Sequence, residues 1–287
     1  MKKDNNLRIL IIGASGFLGS KLFTELSRKY NVVGTYYSDP TSDLSPLDIK
    51  NRKDVKNFLS KSRPDILIDC GGITRPDTCE VDQLSAYKTN IEGVGNLVEY
   101  SNCKLIYFST DYVFDGKKGK YTENDEPNPI NYYGWTKLEA EKIVLAYKLD
   151  NVVLRVSGLY GKNNRNNEFL LSLMKPIIYK ATDCFSSNLL LDDLVQHISY
   201  FWSKSGLYHI TNGNALSRFK FTLKAVNILG FSSQVVGKCR KEIYTIAERP
   251  KDCSLVSVRH NLPVHNEESG LLYLKNSLNS HENMIIS

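Results

Sequence analysis

Short apolar runs alternate with amphipathic stretches along the first half of the chain, and this alternation predicts strands joined by helices. The runs that predict strands are Leu7 to Ile12, Val32 to Tyr36, Ile66 to Asp69, Leu105 to Thr110 and Val152 to Val156. They are apolar at almost every position, which is typical of parallel strands that helices cover on both faces. The pattern therefore predicts a doubly wound α/β fold around a parallel sheet.

The alternation weakens after Val156. The later features are an Asn-rich loop at 163–167, a helical stretch at 217–229 and a proline-containing segment near Arg249. This change predicts two parts. Residues 1–157, rejoined by about 188–211, form the larger domain, and residues 158–287 form most of a smaller lobe of mixed secondary structure.

The composition is that of an ordinary globular protein, since 41% of the 287 residues are apolar and 24% are charged. No apolar run is long enough to span a membrane, and the stretch from Lys2 to Ile12 contains Arg8 and ends at Gly13, too short for a signal sequence. The six cysteines form neither a C-x-x-C pair nor a zinc-ligand pattern with histidine. We therefore expect a cytoplasmic protein with no membrane span, no disulfide framework and no metal.

The formal net charge is +6, but the basic residues are dispersed without a basic block. This distribution argues against a nucleic-acid surface. It suits a small anionic ligand and an ordinary solvated surface equally well. A homodimer is compatible with the sequence, which does not identify the oligomeric state.

The segment Gly13-Ala14-Ser15-Gly16-Phe17-Leu18-Gly19 follows the first predicted strand and opens a helix predicted to reach about Lys29. This is the context of a Rossmann-type dinucleotide-binding turn, in which the first glycine permits the turn, the second admits a pyrophosphate and the third lets the helix pack closely. The N–H groups of the helix N-terminus favour an anion. The residues predicted to bind the cofactor here are Gly13, Ser15, Gly16, Phe17, Leu18 and Gly19. The alternative is a tight turn without a ligand.

The end of the second predicted strand bears on the choice of cofactor. Tyr36 stands where an NAD-specific protein usually has an acid for the ribose 2′-hydroxyl, so a 2′-phosphate would meet no fixed repulsion. Lys21 and Ser38 could receive that phosphate, but no arginine stands there. The sequence therefore favours NADP(H) slightly over NAD(H). The other residues predicted for the cofactor site are Asp48, Ile49, Gly71 and Gly72, with a helix N-cap as an equal alternative for Asp48.

A second motif, Tyr133-Gly134-Trp135-Thr136-Lys137, stands at the start of a helix predicted to reach about Tyr147. Tyr133 and Lys137 share one helix face. A carbonyl reductase needs an acid that protonates the oxygen as hydride arrives, and a nearby ammonium lowers the pKa of a tyrosine from about 10. Lys137 is expected to supply that ammonium and to hold the nicotinamide ribose. Alone, such a pair is common on any amphipathic helix.

The predicted strand that ends at Thr110 comes just before this helix. Ligands of open α/β sheets bind at the carboxyl ends of strands. Thr110 is therefore expected to donate a hydrogen bond to the same carbonyl oxygen, which completes a catalytic set with Tyr133 and Lys137. The alternative is a hydroxyl that only caps the strand end.

Taken together, GASGFLG, STDYVFDG, YYGWTK and the segment from Leu154 to Gly161 resemble the extended short-chain dehydrogenase/reductase family. Within it, the chain is most similar to dTDP-4-dehydrorhamnose reductases, from Leu7 to about Leu255. The resemblance implies an NAD(P)-dependent oxidoreductase that reduces the keto group of a nucleotide-linked 4-keto-6-deoxy sugar, bound by the C-terminal lobe. It supports the catalytic set above, and the substrate-binding residues expected beside it are Thr74, Arg75, Asp111, Tyr112 and Arg249.

Arg249 lies beside a proline in a polar segment of the C-terminal lobe. A diphosphate that enters a cleft needs positive partners or backbone donors in place of water. Arg249 is expected to hold the substrate diphosphate, and the resemblance points to the same residue. The alternative is a solvated surface arginine.

Two positions on the substrate side depart from the reductase pattern: Gly158 replaces a tryptophan, and Ser186-Ser187-Asn188-Leu189 replaces Gly-x-Pro-Thr. The regulatory beta subunit of methionine adenosyltransferase also lacks that tryptophan, and the chain resembles it through Arg75-Pro76-Asp77 and Ser109 to Gly116. A non-catalytic regulatory subunit is therefore the second hypothesis, and a nucleotide-sugar epimerase is the third. A 4,6-dehydratase is disfavoured, because Tyr112 stands in place of its additional glutamate.

Overall fold

Seven parallel strands form the central sheet of the protein in a computed structural model, which describes residues 4–148, 150–163 and 168–285. These strands are β1 (Asp4–Ile12), β2 (Tyr30–Tyr36), β3 (Ser45–Pro46), β4 (Ile66–Asp69), β5 (Lys104–Thr110), β6 (Val152–Val156) and β9 (Gly206–Ile210). Their order across the sheet is β3-β2-β1-β4-β5-β6-β9. The chain thus builds outward from β1 in both directions, as in a doubly wound Rossmann-type sheet. The predicted fold class is confirmed.

Helices cover both faces of this sheet. Those of the N-terminal half are α1 (Phe17–Ser27), α2 (Arg52–Ser62), α3 (Pro76–Val81), α4 (Gln83–Tyr87), α5 (Gly93–Tyr100) and α6 (Tyr132–Tyr147), with a π-helical turn at Lys88–Glu92 and a 3-10 turn at Asp111–Val113. Successive side chains of β1 point to opposite faces: Ile9 and Ile11 pack in the cluster that contains α1, whereas Leu10 and Ile12 pack with α2, α5 and α6. Burial on both faces explains why the strands are apolar at almost every position.

The chain leaves the sheet after β6 and adds smaller elements before and after it returns at β9. They are α7 (Glu168–Leu173), β7 (Ile177–Ala181), β8 (Phe185–Ser186), α8 (Leu191–His197), β10 (Leu216–Ser217), α9 (Arg218–Leu229), β11 (Gln234–Lys238) and α10 (Glu267–Ile285), with 3-10 turns at Ile198–Ser203 and Arg240–Glu242. β7 pairs with β11 in parallel, and β8 pairs with β10 antiparallel. Tyr160, Leu173 and Phe221 belong to a separate apolar cluster. The division of the chain into two domains stays a prediction.

Two further predictions from the sequence concern the Asn-rich loop and the absence of a membrane-spanning helix. Of the Asn-rich loop predicted at 163–167, residues 164–167 lie outside the described residues. Among the helices that the described ranges contain, none is both long and apolar enough to cross a membrane.

A buried ion pair fixes α6 to the sheet. Arg155 of β6 donates from Nε to Glu141 Oε1 at 2.9 Å and from Nη2 to Glu141 Oε2 at 2.6 Å. Each side chain is only 3% exposed, and the guanidinium lies 5.0 Å from the centre of the Phe114 ring. Two parallel charged hydrogen bonds away from water fix distance and orientation together. The helix that carries Tyr133 and Lys137 is therefore held in one position on β6.

Candidate active site

The glycine turn after β1 has the shape that a diphosphate requires. Gly13 has a φ of +70°, and a side chain on Gly19 would collide with the Gly13 carbonyl oxygen, so both positions need glycine. A Cβ on Gly13 would also come within 3.0 Å of Gly71 Cα in the loop after β4. Gly16 is the N-cap of α1, whose first turn has no side-chain cap and no acidic residue. The first N–H groups of α1 therefore remain available to an anion. Ser15, Phe17 and Leu18 complete the turn.

Asn90, in the π-helical turn, ties the loop after β4 to α6. A Cβ on Gly72, which has a φ of +131°, would meet Asn90 Oδ1 at 2.9 Å. Asn90 Oδ1 accepts the Ile73 N–H at 2.8 Å, and Nδ2 donates to the Ile73 carbonyl at 3.0 Å. Nδ2 also donates to Thr136 Oγ1 at 3.1 Å, one residue before Lys137. Asn90 thus positions both sides of the predicted nicotinamide site, and it was not among the predicted residues.

A groove of about 470 Å³ adjoins the end of β2, where the adenosine part of a dinucleotide is expected. Its lining residues are Tyr37, Pro46, Leu47, Asp48, Asp54, Asn57, Phe58 and Lys61. Lys50 Nζ donates to the Tyr37 phenol at 2.8 Å and lies 3.6 Å from Asp48. The hydrogen bond with Tyr37 is the main cause that raises the pKa of Lys50. Lys50, which was not predicted, therefore places a stable positive charge beside this groove.

The structure bears on two of the residues considered for the cofactor site. Lys21 Nζ lies 2.8 Å from Asp192, so its charge already has a partner. The alternative of a helix N-cap is excluded for Asp48, since the N-cap of α2 is Asn51, whose side chain accepts hydrogen bonds from two N–H groups of the first turn. The remaining predicted residues lie at or just after the end of β2 and in the loop before α2: Tyr36, Ser38 and Ile49.

The predicted catalytic residues meet at the carboxyl end of β5. Thr110 is the last residue of β5, and Tyr133 lies in the first turn of α6, where Asn131 Oδ1 accepts the Gly134 N–H at 2.9 Å. Thr110 and Tyr133 are 7% and 8% exposed. Burial raises the pKa of Tyr133 well above its usual value, and the neighbouring Thr110 hydroxyl acts in the opposite direction. Tyr133 is therefore a protonated phenol at neutral pH.

Lys137 lies one helical turn after Tyr133, and its Nζ is 4.1 Å from the centre of the Tyr107 ring. Burial lowers the pKa of Lys137 to about 8, and the negative charge of Asp69 opposes this shift. Asp69 ends β4, and burial raises its pKa to about 6. Lys137 was expected to lower the pKa of Tyr133, but its ammonium lies beside Asp69 and Tyr107 instead. Its contact with a ribose stays a prediction.

The residues that follow β5 form a buried polar network. Asp111 accepts hydrogen bonds from Ser157 Oγ at 2.6 Å and from the hydroxyl of the preceding threonine at 3.1 Å, and burial raises the pKa of Asp111. The Tyr112 ring stands edge-on to Tyr133, with 5.9 Å between ring centres. Arg218, which was not predicted, donates from α9 to the Tyr112 phenol. Asp111 and Tyr112 thus lie directly beside the predicted acid.

The other predicted substrate-binding residues lie around α3 and the segment before residue 250. Thr74 is exposed, and Arg75 pairs with Glu168 at 2.6 Å with both side chains mostly in solvent. Arg249 Nη2 lies 2.9 Å from Asp77 Oδ2, and the Arg249 side chain is only 15% exposed. The alternative of a solvated surface arginine is therefore excluded for Arg249. Its contact with a substrate stays a prediction.

The two departures from the reductase pattern contact each other. Gly158 follows β6 with a φ of +50°, and a Cβ there would collide with Asn188 Oδ1. Asn188 is 6% exposed; its Oδ1 accepts from Ser186 Oγ at 3.4 Å, and its buried Nδ2 has no partner within the described part of the chain. Asn188 can therefore occupy its position only because residue 158 has no side chain.

Residues 7–181, which include most of β1, all of β2 to β7 and the three predicted catalytic residues, match the RmlD substrate binding domain family. The chain belongs to this family. It is 31% identical over 231 residues to the dTDP-4-dehydrorhamnose reductase of Aggregatibacter actinomycetemcomitans, an alignment that covers 75% of this chain and 77% of that protein. The family resemblance inferred from the motifs is confirmed.

The chain is also similar to proteins that are not named as reductases. The methionine adenosyltransferase 2 subunit beta of Bos taurus is 35% identical over 173 residues, which are 59% of this chain and 52% of that protein. The chain thus spans about half the length of such relatives. Among solved structures, the dTDP-4-dehydrorhamnose reductase from Bacillus anthracis in complex with NADP superposes with a TM-score of 0.83 at 30% identity, covering 96% of this chain and 100% of that one. The sheet and helices described above therefore match those of this solved reductase.

Proposed function

We propose that the protein is an NAD(P)H-dependent reductase that acts on the keto group of a nucleotide-linked 4-keto-6-deoxy sugar. The observation that carries this proposal is the placement of Thr110 at the end of β5 and Tyr133 in the first turn of α6, with Lys137 one turn away, at the same sheet edge as the glycine turn. Keto reduction needs a protonated acid at the carbonyl oxygen, and burial keeps Tyr133 protonated. The reductases named above, one of them in complex with NADP, support this function.

A nicotinamide cofactor, when bound, would supply the hydride. The N–H groups at the start of α1 would hold its diphosphate, and Lys137 would hold its ribose. The hydroxyls of Thr110 and Tyr133 would both donate to the substrate carbonyl oxygen, and Tyr133 Oη would transfer its proton to that oxygen. To do so, the Thr110 hydroxyl, which donates to Asp111 at 3.1 Å, would turn its single proton from that carboxylate to the substrate oxygen.

The test is NADPH oxidation by the purified protein with a panel of dTDP- and UDP-linked 4-keto-6-deoxy sugars. The matched control is the same panel with the 4-keto group reduced, which should give no oxidation. If no keto sugar of the panel causes NADPH oxidation, the proposed reductase function is wrong.

We also propose that the protein prefers NADP(H) to NAD(H). The Lys50 ammonium beside Tyr37 would meet the 2′-phosphate of NADPH and nothing equivalent in NADH. Lys50→Gln should weaken NADPH binding by about tenfold or more, because a charged hydrogen bond contributes about 1.5–3 kcal/mol. Binding of NADH should not change, and both constants can be measured by fluorescence titration. Lys53→Gln, an exposed lysine of α2, is the control. An equal loss for both cofactors, or no loss, would contradict the assignment.

Binding of NADPH is expected to weaken as the pH rises through about 8, because the lowered pKa of Lys137 makes its ammonium lose its charge there. Neighbouring groups titrate outside this range, since the pKa is about 6 for Asp69 and about 11 for Cys79. Affinities measured from about pH 7 to pH 9, within one unit of that pKa, should show this step. Lys137→Met should remove it. If the NADPH affinity of the unsubstituted protein stays constant over this pH range, the prediction that Lys137 contacts the cofactor is wrong.

A second candidate function is a non-catalytic regulatory subunit, which the 35% identity to a methionine adenosyltransferase 2 subunit beta favours. This alternative expects a stable complex with a methionine adenosyltransferase catalytic subunit and no sugar reduction. Size-exclusion chromatography of the mixture, run beside the NADPH assay, separates the two functions. An epimerase is the third candidate. The homodimer and the cytoplasmic location stay predictions.

A further inference from the structure

Segment 246–249 contains neither a helix nor a strand, yet one carboxylate holds most of it in place. Asp77 Oδ1 accepts the N–H of Ile246 at 3.1 Å and the N–H of Ala247 at 2.9 Å. Asp77 Oδ2 lies 2.9 Å from Arg249 Nη2. Because hydrogen bonds to a charged acceptor are stronger than neutral ones, Asp77 fixes both the backbone of the segment and its arginine.

Asn131 joins the same segment to the start of α6. Its Nδ2 donates to the Glu248 carbonyl at 2.8 Å, and its Oδ1 accepts the Gly134 N–H at 2.9 Å. Gly134 directly follows Tyr133 in the first turn of the helix. One amide side chain therefore connects the segment to the turn that carries the proposed proton donor.

Helix α3, which carries Asp77 in its first turn, contacts the same end of α6. Glu80 Oε2 accepts the Tyr132 N–H at 3.0 Å. Cys79 packs in one buried cluster with Tyr133. The helix that anchors the segment is thus itself fixed against the start of α6, so the segment has a defined position relative to Tyr133.

We infer that Asp77 is a positioning residue, which holds segment 246–249 as a wall of the substrate cleft beside Tyr133. This inference rests on the proposed function, because the cleft is the one in which the sugar would be reduced. Ala247 is 1% exposed, so the segment packs inward and does not stand in solvent. The Asp77 carboxylate already has three partners within the protein, and the segment therefore transmits its effect on a substrate.

The first measurement is hydrogen exchange of backbone amides, read by NMR, in Asp77→Ala and in the unsubstituted protein. The Asp77 side chain is 40% exposed, so its removal breaks the three contacts without opening a cavity in the core. The N–H groups of Ile246 and Ala247 lose their acceptor and are expected to exchange about tenfold faster or more. The Gly134 N–H should keep its rate, because Asn131 still accepts it.

The second measurement is binding of dTDP-glucose and UDP-glucose, which have no keto group, by calorimetry with NADPH at saturation. Asp77→Ala is expected to weaken the tighter of the two about tenfold, since the segment that borders the sugar becomes free to move. Affinity for NADPH should stay the same. With a keto sugar that the protein reduces, KM should rise by a similar factor and kcat should fall less than about threefold, because Glu80 still holds the start of α6.

Two variants separate this effect from general destabilisation. Asp77→Asn keeps an oxygen for the two N–H groups but loses the charge that pairs with Arg249, so its effects should be intermediate. It decides the inference if Asp77→Ala does not fold. Asp82→Ala removes an exposed carboxylate that accepts the Ser85 N–H at the start of α4, and it should change neither the exchange of the segment nor the sugar affinity.

Unchanged exchange of the segment in Asp77→Ala would overturn the inference. So would faster exchange with unchanged affinity for both nucleotide sugars, or an equal loss of affinity in Asp82→Ala. If the unsubstituted protein binds neither nucleotide sugar, the segment borders no sugar cleft and the inference is wrong. Exchange and binding need no turnover. Loss of nucleotide-sugar affinity in Asp77→Ala, without reduction of any keto sugar by the unsubstituted protein, therefore supports the inference and overturns the reductase function.

Discussion

Replacing Tyr133 with phenylalanine is expected to lower turnover by about a hundredfold to ten-thousandfold, the usual contribution of a positioned proton donor. The phenol lies near Thr110 at the carboxyl end of β5, and burial keeps it protonated. The ring itself would stay packed edge-on to Tyr112, so stability and NADPH affinity should not change. Steady-state kinetics with a reducible nucleotide sugar, combined with NADPH titration, measures both quantities.

The control for this variant is Tyr132→Phe, which removes a phenol from the neighbouring position of the same helix turn. Turnover should stay close to that of the unsubstituted protein. Near-native turnover in Tyr133→Phe would mean that another group donates the proton.

The second large effect concerns the buried pair of Glu141 and Arg155. Glu141→Leu should lower the free energy of unfolding by about 3–5 kcal/mol, because it leaves the Arg155 guanidinium buried without its counter-ion. The loss should appear in urea unfolding followed by circular dichroism. The substitution should also lower the catalytic activity, since the ion pair holds α6 on β6.

Two matched variants separate this effect from the loss of any ion pair. The double variant Glu141→Leu, Arg155→Met should recover most of the stability, because both charges are gone. Glu139→Gln breaks the exposed pair with Lys142 on the same helix and should cost less than about 1 kcal/mol. A cost for Glu141→Leu as small as that of Glu139→Gln would show that Arg155 finds other partners.

Apolar runs predicted the central strands because burial on both faces leaves little choice of residue. β4 and β6 have the predicted bounds, Ile66–Asp69 and Val152–Val156. β1 starts at Asp4 instead of Leu7, since its polar first residues carry no apolar signal. β9, Gly206–Ile210, was not recognised as a strand; it lies at the sheet edge, and three of its five residues are only partly buried.

The candidate site was predictable where its residues form local motifs, as in the glycine turn and the Tyr133–Lys137 pair. The residues that were missed act through contacts that are distant in sequence. Asn90 bonds Thr136 across 46 residues, and Arg218 bonds Tyr112 across 106. Lys50 bonds Tyr37 although the two-residue strand β3 lies between them in the sequence, and no regular spacing of side chains predicts such a contact. Tertiary packing alone brings these groups to the site.

The contact between Gly158 and Asn188 couples the side chains that these two positions can accept. A tryptophan at position 158, as in rhamnose-pathway reductases, cannot be accommodated while Asn188 Oδ1 occupies the space beside it, and the φ of +50° adds strain. A large side chain at 158 therefore needs a smaller residue at 188 in the same molecule. The two positions tolerate such a change only as a pair, so a single substitution at either one does not make room for a tryptophan.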